Sequence, residues 1–358
     1  MLGDDRIVQF RSDGLALSPA EYARLLARLA ETRGIAADEY SRDGVVAELE
    51  ARMAALLGKE SAVFLPTGTL ANHLALRLLA RNGRRILVQQ ESHLYNDEGD
   101  CAQQLSGLTL VPLAAGRATF TLAEAEAAIA GPPEARVAIP VGAISIETPV
   151  RRAAGEAFDL IELRQITTFA RDRGIGLHLD GARLLIESVY TGIAPAEYAA
   201  LFDTVYVSLY KYLNAAAGAI LAGPRKLLDD LFHQRRMFGG GLPHVWPYAA
   251  VALHYLDGFA ERFEAAATAC EELLAALAEH KRVRVTRAAG ATNVSLIAVY
   301  GETAAALPAR LLARGIGIRP PRETSPSGAT FALHTNETIL YQPIADTIRQ
   351  FISALERG

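Results

Sequence analysis

Leu177-His178-Leu179-Asp180-Gly181-Ala182-Arg183 is the stretch whose reading decides the fold. It closes an apolar run that begins at Ile175, and it leads into a helical pattern over Ala182–Tyr190. Another helical pattern, Leu160–Arg173, comes just before it. Outward from there the alternation continues in both directions. Apolar runs fall at Ser61–Leu65, Arg85–Gln89, Leu108–Pro112, Val137–Ile146, Thr204–Leu209 and Gly218–Leu221, and helices at Leu70–Ala80 and Leu122–Ala130 separate some of them. Strands covered on both faces read as apolar runs, so the expected core is an α/β domain around a mainly parallel seven-stranded sheet.

The flanks are plainer. Ser18-Pro19-Ala20-Glu21 is a capping box with proline at the first helical position, and a second helix over Val45–Leu57 stops where Gly58 can turn left-handed. From about Leu242 the pattern changes to one long helical stretch reaching roughly Lys281. Strands near Arg282–Thr286, Asn293–Tyr300, Ile316–Arg319 and Thr330–His334 follow, with helices at Ala304–Ala313 and Pro343–Glu356. The expected division is an N-terminal arm and helix over 1–45, a large domain over 46–245, and a linking helix with a small C-terminal α+β domain over 246–358.

Composition narrows the function. With 358 residues, 51% of them hydrophobic and 21% charged, the chain has material for a large core, and disorder is excluded. A net charge of −4 leaves no electrostatic footprint for nucleic acid, and the clusters Arg84-Arg85, Arg151-Arg152 and Lys281–Arg287 read as solvated faces. Two cysteines, Cys101 and Cys270, make no disulfide framework and no metal-ligand pattern, which suits a reducing cytosol. The acidic start, Met1–Asp5, carries no apolar leader, and the run Val137–Ile146 is far shorter than the roughly 20 residues that span a bilayer. The expectation is a cytoplasmic protein with no membrane and no nucleic-acid partner.

Four places carry chemistry, all at strand ends or loops of the large domain, where open α/β sheets bind ligands. Pro66-Thr67-Gly68-Thr69 joins a strand to a helix and has the form of a phosphate site at a helix N-terminus, although alone it reads slightly better as an ordinary turn. Asp180 ends a buried strand; such a carboxylate needs a cation, which can be Arg183 or a cationic ring nitrogen of a cofactor. His178, alternating with leucines, reads as a packed core histidine. Lys211 sits in the nearly apolar run Val207–Ala216, where desolvation would favour the free amine that Schiff-base chemistry needs, although most lysines are surface solubilisers. His93, in Ser92-His93-Leu94-Tyr95-Asn96-Asp97-Glu98-Gly99, follows a strand and belongs at its carboxyl end, and alone it is equally a loop histidine. Together these groups make the set that pyridoxal phosphate needs: an anion cradle, a ring-nitrogen partner, a Schiff-base lysine and a lid for the ring.

The chain resembles the threonine aldolase branch of the aromatic amino acid β-eliminating lyase family, of the aspartate aminotransferase fold type. Glu60–Thr69 is similar to that family's phosphate loop, Leu177–Leu184 to its aspartate motif, Arg235–Gly241 to its triple-glycine segment, and Arg11-Ser12-Asp13 to its N-terminal motif. The resemblance implies Lys211 as the Schiff-base lysine, Asp180 on the pyridine nitrogen and His93 stacked on the ring, with His93 also a candidate for proton transfer. It implies phosphate contacts from Thr67, Gly68, Thr69 and Ser208, with Arg183 beside the cofactor and, with Ser12, near the substrate carboxylate. It implies no metal, and a homodimer or homotetramer with shared active sites, where Tyr40 and Gly239–Gly241 reach a neighbour's site. The implied reaction cleaves a β-hydroxy-α-amino acid, threonine-like or bulkier, to glycine and an aldehyde. Another pyridoxal phosphate lyase (β-elimination) and a non-catalytic cofactor-binding relative are the alternatives.

Three departures bear on the substrate. Tyr210 and Tyr212 flank Lys211 where the family pattern is Ser-Lys-Gly. Leu242-Pro243-His244 follows the glycines in place of Met-Arg-Gln, which removes a phosphate-binding arginine. The stretch Ala329–His334 lacks the family's carboxylate-binding arginine, leaving Arg319 or Arg322 as replacements. Loss of a bidentate arginine matters because such pairs are among the strong hydrogen bonds.

Overall fold

The computed structural model describes residues 7–81, 83–131, 136–137, 139–301 and 303–356. The chain starts with strand β1 (Val8–Gln9), then helices α1 (Pro19–Arg33) and α2 (Gly44–Leu56). At the start of α1 both halves of the Ser18/Glu21 capping box form, and Gly34 ends the helix in the left-handed region at φ 62°.

Seven strands follow: β2 (Ser61–Leu65), β3 (Arg85–Gln89), β4 (Thr109–Leu113), β5 (Val141–Glu147), β6 (Gly176–Asp180), β7 (Thr204–Ser208) and β8 (Ala219–Gly223). Between them run α3 (Gly68–Leu79), α4 (His93–Asn96), α5 (Cys101–Ser106), α6 (Leu122–Ala130), α7 (Leu160–Asp172) and α8 (Leu184–Thr191). The strands form one sheet in the order β2-β8-β7-β6-β5-β3-β4, parallel except for β8, which runs against both neighbours. The run expected from Val137 becomes a strand only at Val141; Ala138 lies outside the described residues. The β6, β7 and β8 side chains are almost all buried, which explains why these strands read as apolar runs in both registers.

The large unit, residues 18–256, takes in α1, α2 and the whole seven-stranded sheet, and ends with the helix Trp246–Leu256. The long helical stretch expected to Lys281 is in fact two helices. Gly258, at φ 65°, breaks it before a second helix, Phe259–Ala278. A backbone in that region interrupts the helical hydrogen-bond ladder, and the division between the two units falls at this break.

The second unit comprises residues 1–17 and 257–358, so the first residues group with the C-terminal segment instead of with α1. Its strands are β9 (Val283–Thr286), β10 (Val294–Tyr300), β11 (Ile316–Gly317), β12 (Glu323–Ser325) and β13 (Gly328–His334). An antiparallel sheet, β12-β13-β10-β9, packs with Phe259–Ala278 and the last helix, Ile344–Glu356, around Leu273, Leu277, Ile297, Phe331 and Phe351. The N-terminal segment is held here by polar ties. β1 pairs in parallel with β11, and Asn336 Nδ2 donates to Gln9 O at 2.7 Å and Ser12 O at 2.8 Å. A two-residue strand carries no pattern of its own, and only these long-range bonds define it.

Candidate active site

In the large sheet, successive parallel strands leave β3 in opposite directions, with β4 on one side and β5, β6 and β7 on the other. Such a reversal opens a crevice at the carboxyl ends. The strands that border it end on polar residues: Gln89, Glu147, Asp180 and Ser208. Glu147 lies opposite Asp180, and Asp180 opposite Tyr206, so strand spacing of about 4.8 Å sets two acids side by side.

Asp180 is 2% exposed. Its Oδ2 accepts from Asn72 Nδ2 at 2.8 Å and its Oδ1 from the Ala182 backbone N–H at 3.2 Å. Asn72, buried on α3, also donates to Glu98 Oε1 at 2.8 Å, while its Oδ1 lies 2.9 Å from His178 Nε2. Two carboxyl partners fix which end of the Asn72 amide faces them, since only the NH2 end can donate. His178 must therefore carry its proton on Nε2, leaving Nδ1 to accept from Thr204 Oγ1 at 2.9 Å. Burial lowers the His178 pKa to about 4, so the ring is neutral. His178 is thus a packed core histidine, as its leucine neighbours predict, and it also anchors the amide that holds Asp180.

His93 opens α4, capped by Ser92, and its backbone N–H donates to Glu147 Oε2 at 2.6 Å. Glu147 also accepts from Arg151 N at 3.0 Å. Burial, then the neighbouring Asp180 charge, raises the Glu147 pKa above the ordinary carboxylate range. The His93 Nδ1 lies 3.2 Å from Asp97 Oδ2. Arg152 holds Asp97 in place at 2.8 Å and lowers its pKa, so Asp97 is an anion that can only accept. Burial lowers the His93 pKa, Asp180 opposes that, and Lys211 adds to it. His93, Asp180 and Lys211 are thereby brought into one electrostatic neighbourhood.

Thr67 caps the twelve-residue α3, accepting from Leu70 N at 3.2 Å. A Cβ built on Gly68 would lie 2.1 Å from the Tyr206 hydroxyl, so glycine here lets β7 pack against the start of the helix. Ser208 Oγ, close to that hydroxyl, is buried and makes no hydrogen bond of good geometry. Thr67 and Thr69 also line a cavity of about 330 Å³ with His73, Phe238, Gly239 and Gly240. Lys211 follows β7, its ammonium 5.7 Å from the Tyr210 ring centroid. Arg183 is buried at the start of α8 and lowers the Glu147 pKa, opposing its rise. Among the described residues no group of acids, histidines or cysteines could hold a metal ion, and no helix is long and apolar enough to cross a membrane.

Residues 9–299 match the family described as Beta-eliminating lyase. The chain belongs to that family. It is 30% identical to the low specificity L-threonine aldolase of Escherichia coli K12 over 78% of this chain and 82% of that one. It is 31% identical to the low-specificity L-threonine aldolase of Candida albicans over 61% of this chain, a match that spans only 58% of that protein's length. A crystal structure from Exiguobacterium sp. 255-15, described as an aromatic amino acid β-eliminating lyase/threonine aldolase, superposes with a TM-score of 0.84. It shares 25% identity and covers 99% of this chain and 98% of its own.

Of the site residues expected from the sequence, Thr67, Gly68, Thr69, His93, Asp180, Arg183, Ser208 and Lys211 all belong to the large unit. Ser12 belongs to the other unit, where Gln9 Nε2 donates to its Oγ at 3.2 Å. Arg319 and Arg322 are exposed in that same unit, and Arg319 Nε donates to Arg11 O. Tyr40, at φ 50°, is tied back by its N–H to Pro243 O at 2.8 Å and by its carbonyl to the buried Arg235 at 3.0 Å. The sequence reading missed Asn72, Glu98 and Glu147. Glu147 had a signal, since it ends an apolar run as Asp180 does; Asn72 had none, being one polar residue within a helix.

Proposed function

We propose that this protein is a pyridoxal phosphate-dependent carbon–carbon lyase that cleaves a β-hydroxy-α-amino acid, threonine or a bulkier analogue, to glycine and an aldehyde. The observation that carries this reading is Asp180, a carboxylate buried at a strand end, held by Asn72 and Ala182, with His93 and Lys211 in its field. Family membership and the relatives' activity support it. The residues fit the cofactor on one further point: Ser208 Oγ is a buried hydroxyl in want of a partner beside the α3 N-terminus, where an anion is favoured.

When bound, the cofactor supplies an electron sink for the bond broken at Cα. Asp180 holds the proton on the ring nitrogen, and Asn72 holds Asp180. The Lys211 amine is the covalent anchor. The His93 Nδ1–H is committed to Asp97, which leaves the Nε2 lone pair to take the proton of a β-hydroxyl. Arg183 assists at the substrate carboxylate. Tyr210, 46% exposed, narrows the entrance beside Lys211 and selects the side chain. The protein works as a homo-oligomer in which Tyr40 and Gly239–Gly241 serve a neighbouring site; exposed Tyr40, Tyr95, Leu105 and Met237 are the apolar surface such an assembly would cover. Its free cysteines, both with pKa values pushed up by burial, suit the reducing cytoplasm.

The purified protein should be yellow, and Lys211→Ala should lose the colour. Incubation with threonine, phenylserine, serine and cysteine should release glycine and an aldehyde from the β-hydroxy substrates. Ammonia with a keto acid would mean β-elimination instead, and a colourless, inert protein would overturn the reading.

A further inference from the structure

Glu98 lies outside the groups that this chemistry uses, yet it is 6% exposed and shares a donor with Asp180. One Asn72 nitrogen, 2.8 Å from each, bridges Glu98 Oε1 and Asp180 Oδ2. Two carboxyl groups so close in a buried site cannot both be ionised without large cost, so the pair holds a proton. Asp180 is the better anion, since it has a second donor in Ala182 N, and a cationic ring nitrogen would favour its charge further.

A second observation puts the proton on the same residue. Asp97 is an anion and takes the His93 Nδ1–H, so neutral His93 turns a bare lone pair outward at Nε2. The atom 4.0 Å from that Nε2 is Glu98 Oε1. An ionised Glu98 would set a second carboxylate charge beside that lone pair, whereas a neutral one leaves the lone pair free for a substrate proton. The Asn72 N–H already occupies Oε1 at 2.8 Å, so the acid proton belongs on Oε2, beside the weakly bonding Cys101 Sγ at 3.8 Å.

We propose that Glu98 is held as a neutral carboxylic acid, which keeps a second negative charge away from His93 Nε2, making Glu98 a positioning residue for His93 and leaving Asp180 the single charge of the bridged pair. Its surroundings agree. Asp180 on β6, Glu147 on β5 and Tyr206 on β7 are acidic groups near it; His93 on α4 is neutral; Cys101 on α5 and Asn72 on α3 are uncharged donors. Burial first, with Asp180 and Glu147 adding to it, raises the Glu98 pKa to about 8. The inference rests on reading Asp180 and His93 as cofactor-facing groups, but its test does not depend on turnover.

The test is infrared difference spectroscopy of the cofactor-loaded wild type against Glu98→Gln at pH 7. A carboxylic acid C=O band present in the wild type and missing from the variant is expected; identical spectra would overturn the proposal. Should Glu98→Gln fail to fold, Glu98→Asp takes its place: the C=O band that fades as pH rises through about 8 must shift in frequency in that variant, and a band left unmoved would overturn the proposal. In kinetics the wild-type kcat should fall about tenfold per pH unit above that point, and Glu98→Gln should abolish this limb, which a merely structural role would leave in place. A protein that shows the band but binds no pyridoxal phosphate keeps the Glu98 assignment and refutes the lyase reading.

Discussion

Replacing Asn72 with leucine keeps the branched shape and the number of heavy atoms and removes three hydrogen bonds at once. The bond to the Asp180 carboxylate is worth about 1.5–3 kcal/mol, and those to Glu98 and His178 about 1 kcal/mol each. The added apolar surface returns about 1 kcal/mol. The net expected loss is about 2.5–4 kcal/mol, and at about 2–4 °C per kcal/mol the unfolding midpoint should drop by roughly 10 °C. The pH dependence sharpens the test. The folded pKa of His178, about 4, lies below its ordinary 6.5, so between these values the unfolded chain binds more protons. Stability from this group is complete above pH 6.5 and is lost as pH falls toward 4, by about 3 kcal/mol in all. His178→Leu should flatten that slope. Denaturant unfolding of Asn72→Leu, His178→Leu and the double variant, from pH 4 to 8, measures all of this. Residues in one network should couple, so the double variant should lose less than the two single losses added together. A loss under 1 kcal/mol for Asn72→Leu, or strict additivity, would refute the network.

Other variants probe separate parts of the molecule. Gly68→Ala would drive a methyl to 2.1 Å from the Tyr206 hydroxyl and should cost about 1–3 kcal/mol in thermal unfolding, with weaker cofactor retention on dialysis; an unchanged midpoint would exclude that close packing. Arg235→Met removes a fully buried cation that donates to Phe64 O at 2.6 Å and compensates Glu50, and about 3–5 kcal/mol should be lost. A urea midpoint within 1 kcal/mol of wild type would show the charge to be dispensable. Changing Arg319 and Arg322 together to alanine should raise KM about tenfold or more if either binds the substrate carboxylate. An unchanged KM would assign that role elsewhere.

The sheet was legible because strands covered on both faces cannot hide: Ser61–Leu65, Arg85–Gln89 and Ile175–Asp180 all read as apolar runs and lie in the sheet within a residue. The strand-end groups were legible for the same reason, as polar side chains where apolar runs stop. What failed was whatever depends on distant partners. Val8–Gln9 is a strand only because Ile316–Gly317 lies beside it. Gly258 looks like any tolerated helix glycine until its φ is known. Asn72 and Glu98, 26 positions apart, look like surface residues, and only folding makes them neighbours.

β8 has a consequence for how this scaffold can change. Because it runs against β7, the chain that leaves β7 returns directly, and the lysine-bearing segment is the tip of a hairpin closed by Leu209 N–H to Gly218 O at 3.1 Å. Elsewhere at this crevice a strand feeds a crossover helix, and a change in loop length would have to move that helix. A hairpin tip has no such burden. Loop-closure entropy grows only slowly with length, about 0.6 kcal/mol per doubling. Tyr212, Leu213, Asn214 and Ala215 are buried in that tip, so its freedom lies at Tyr210 and at Ala216-Ala217, which can change while the Asp180 end of the site stays fixed. New substrate ranges would be expected to arise there, and libraries that vary Tyr210 and the length of 216–217 are the direct way to look for them.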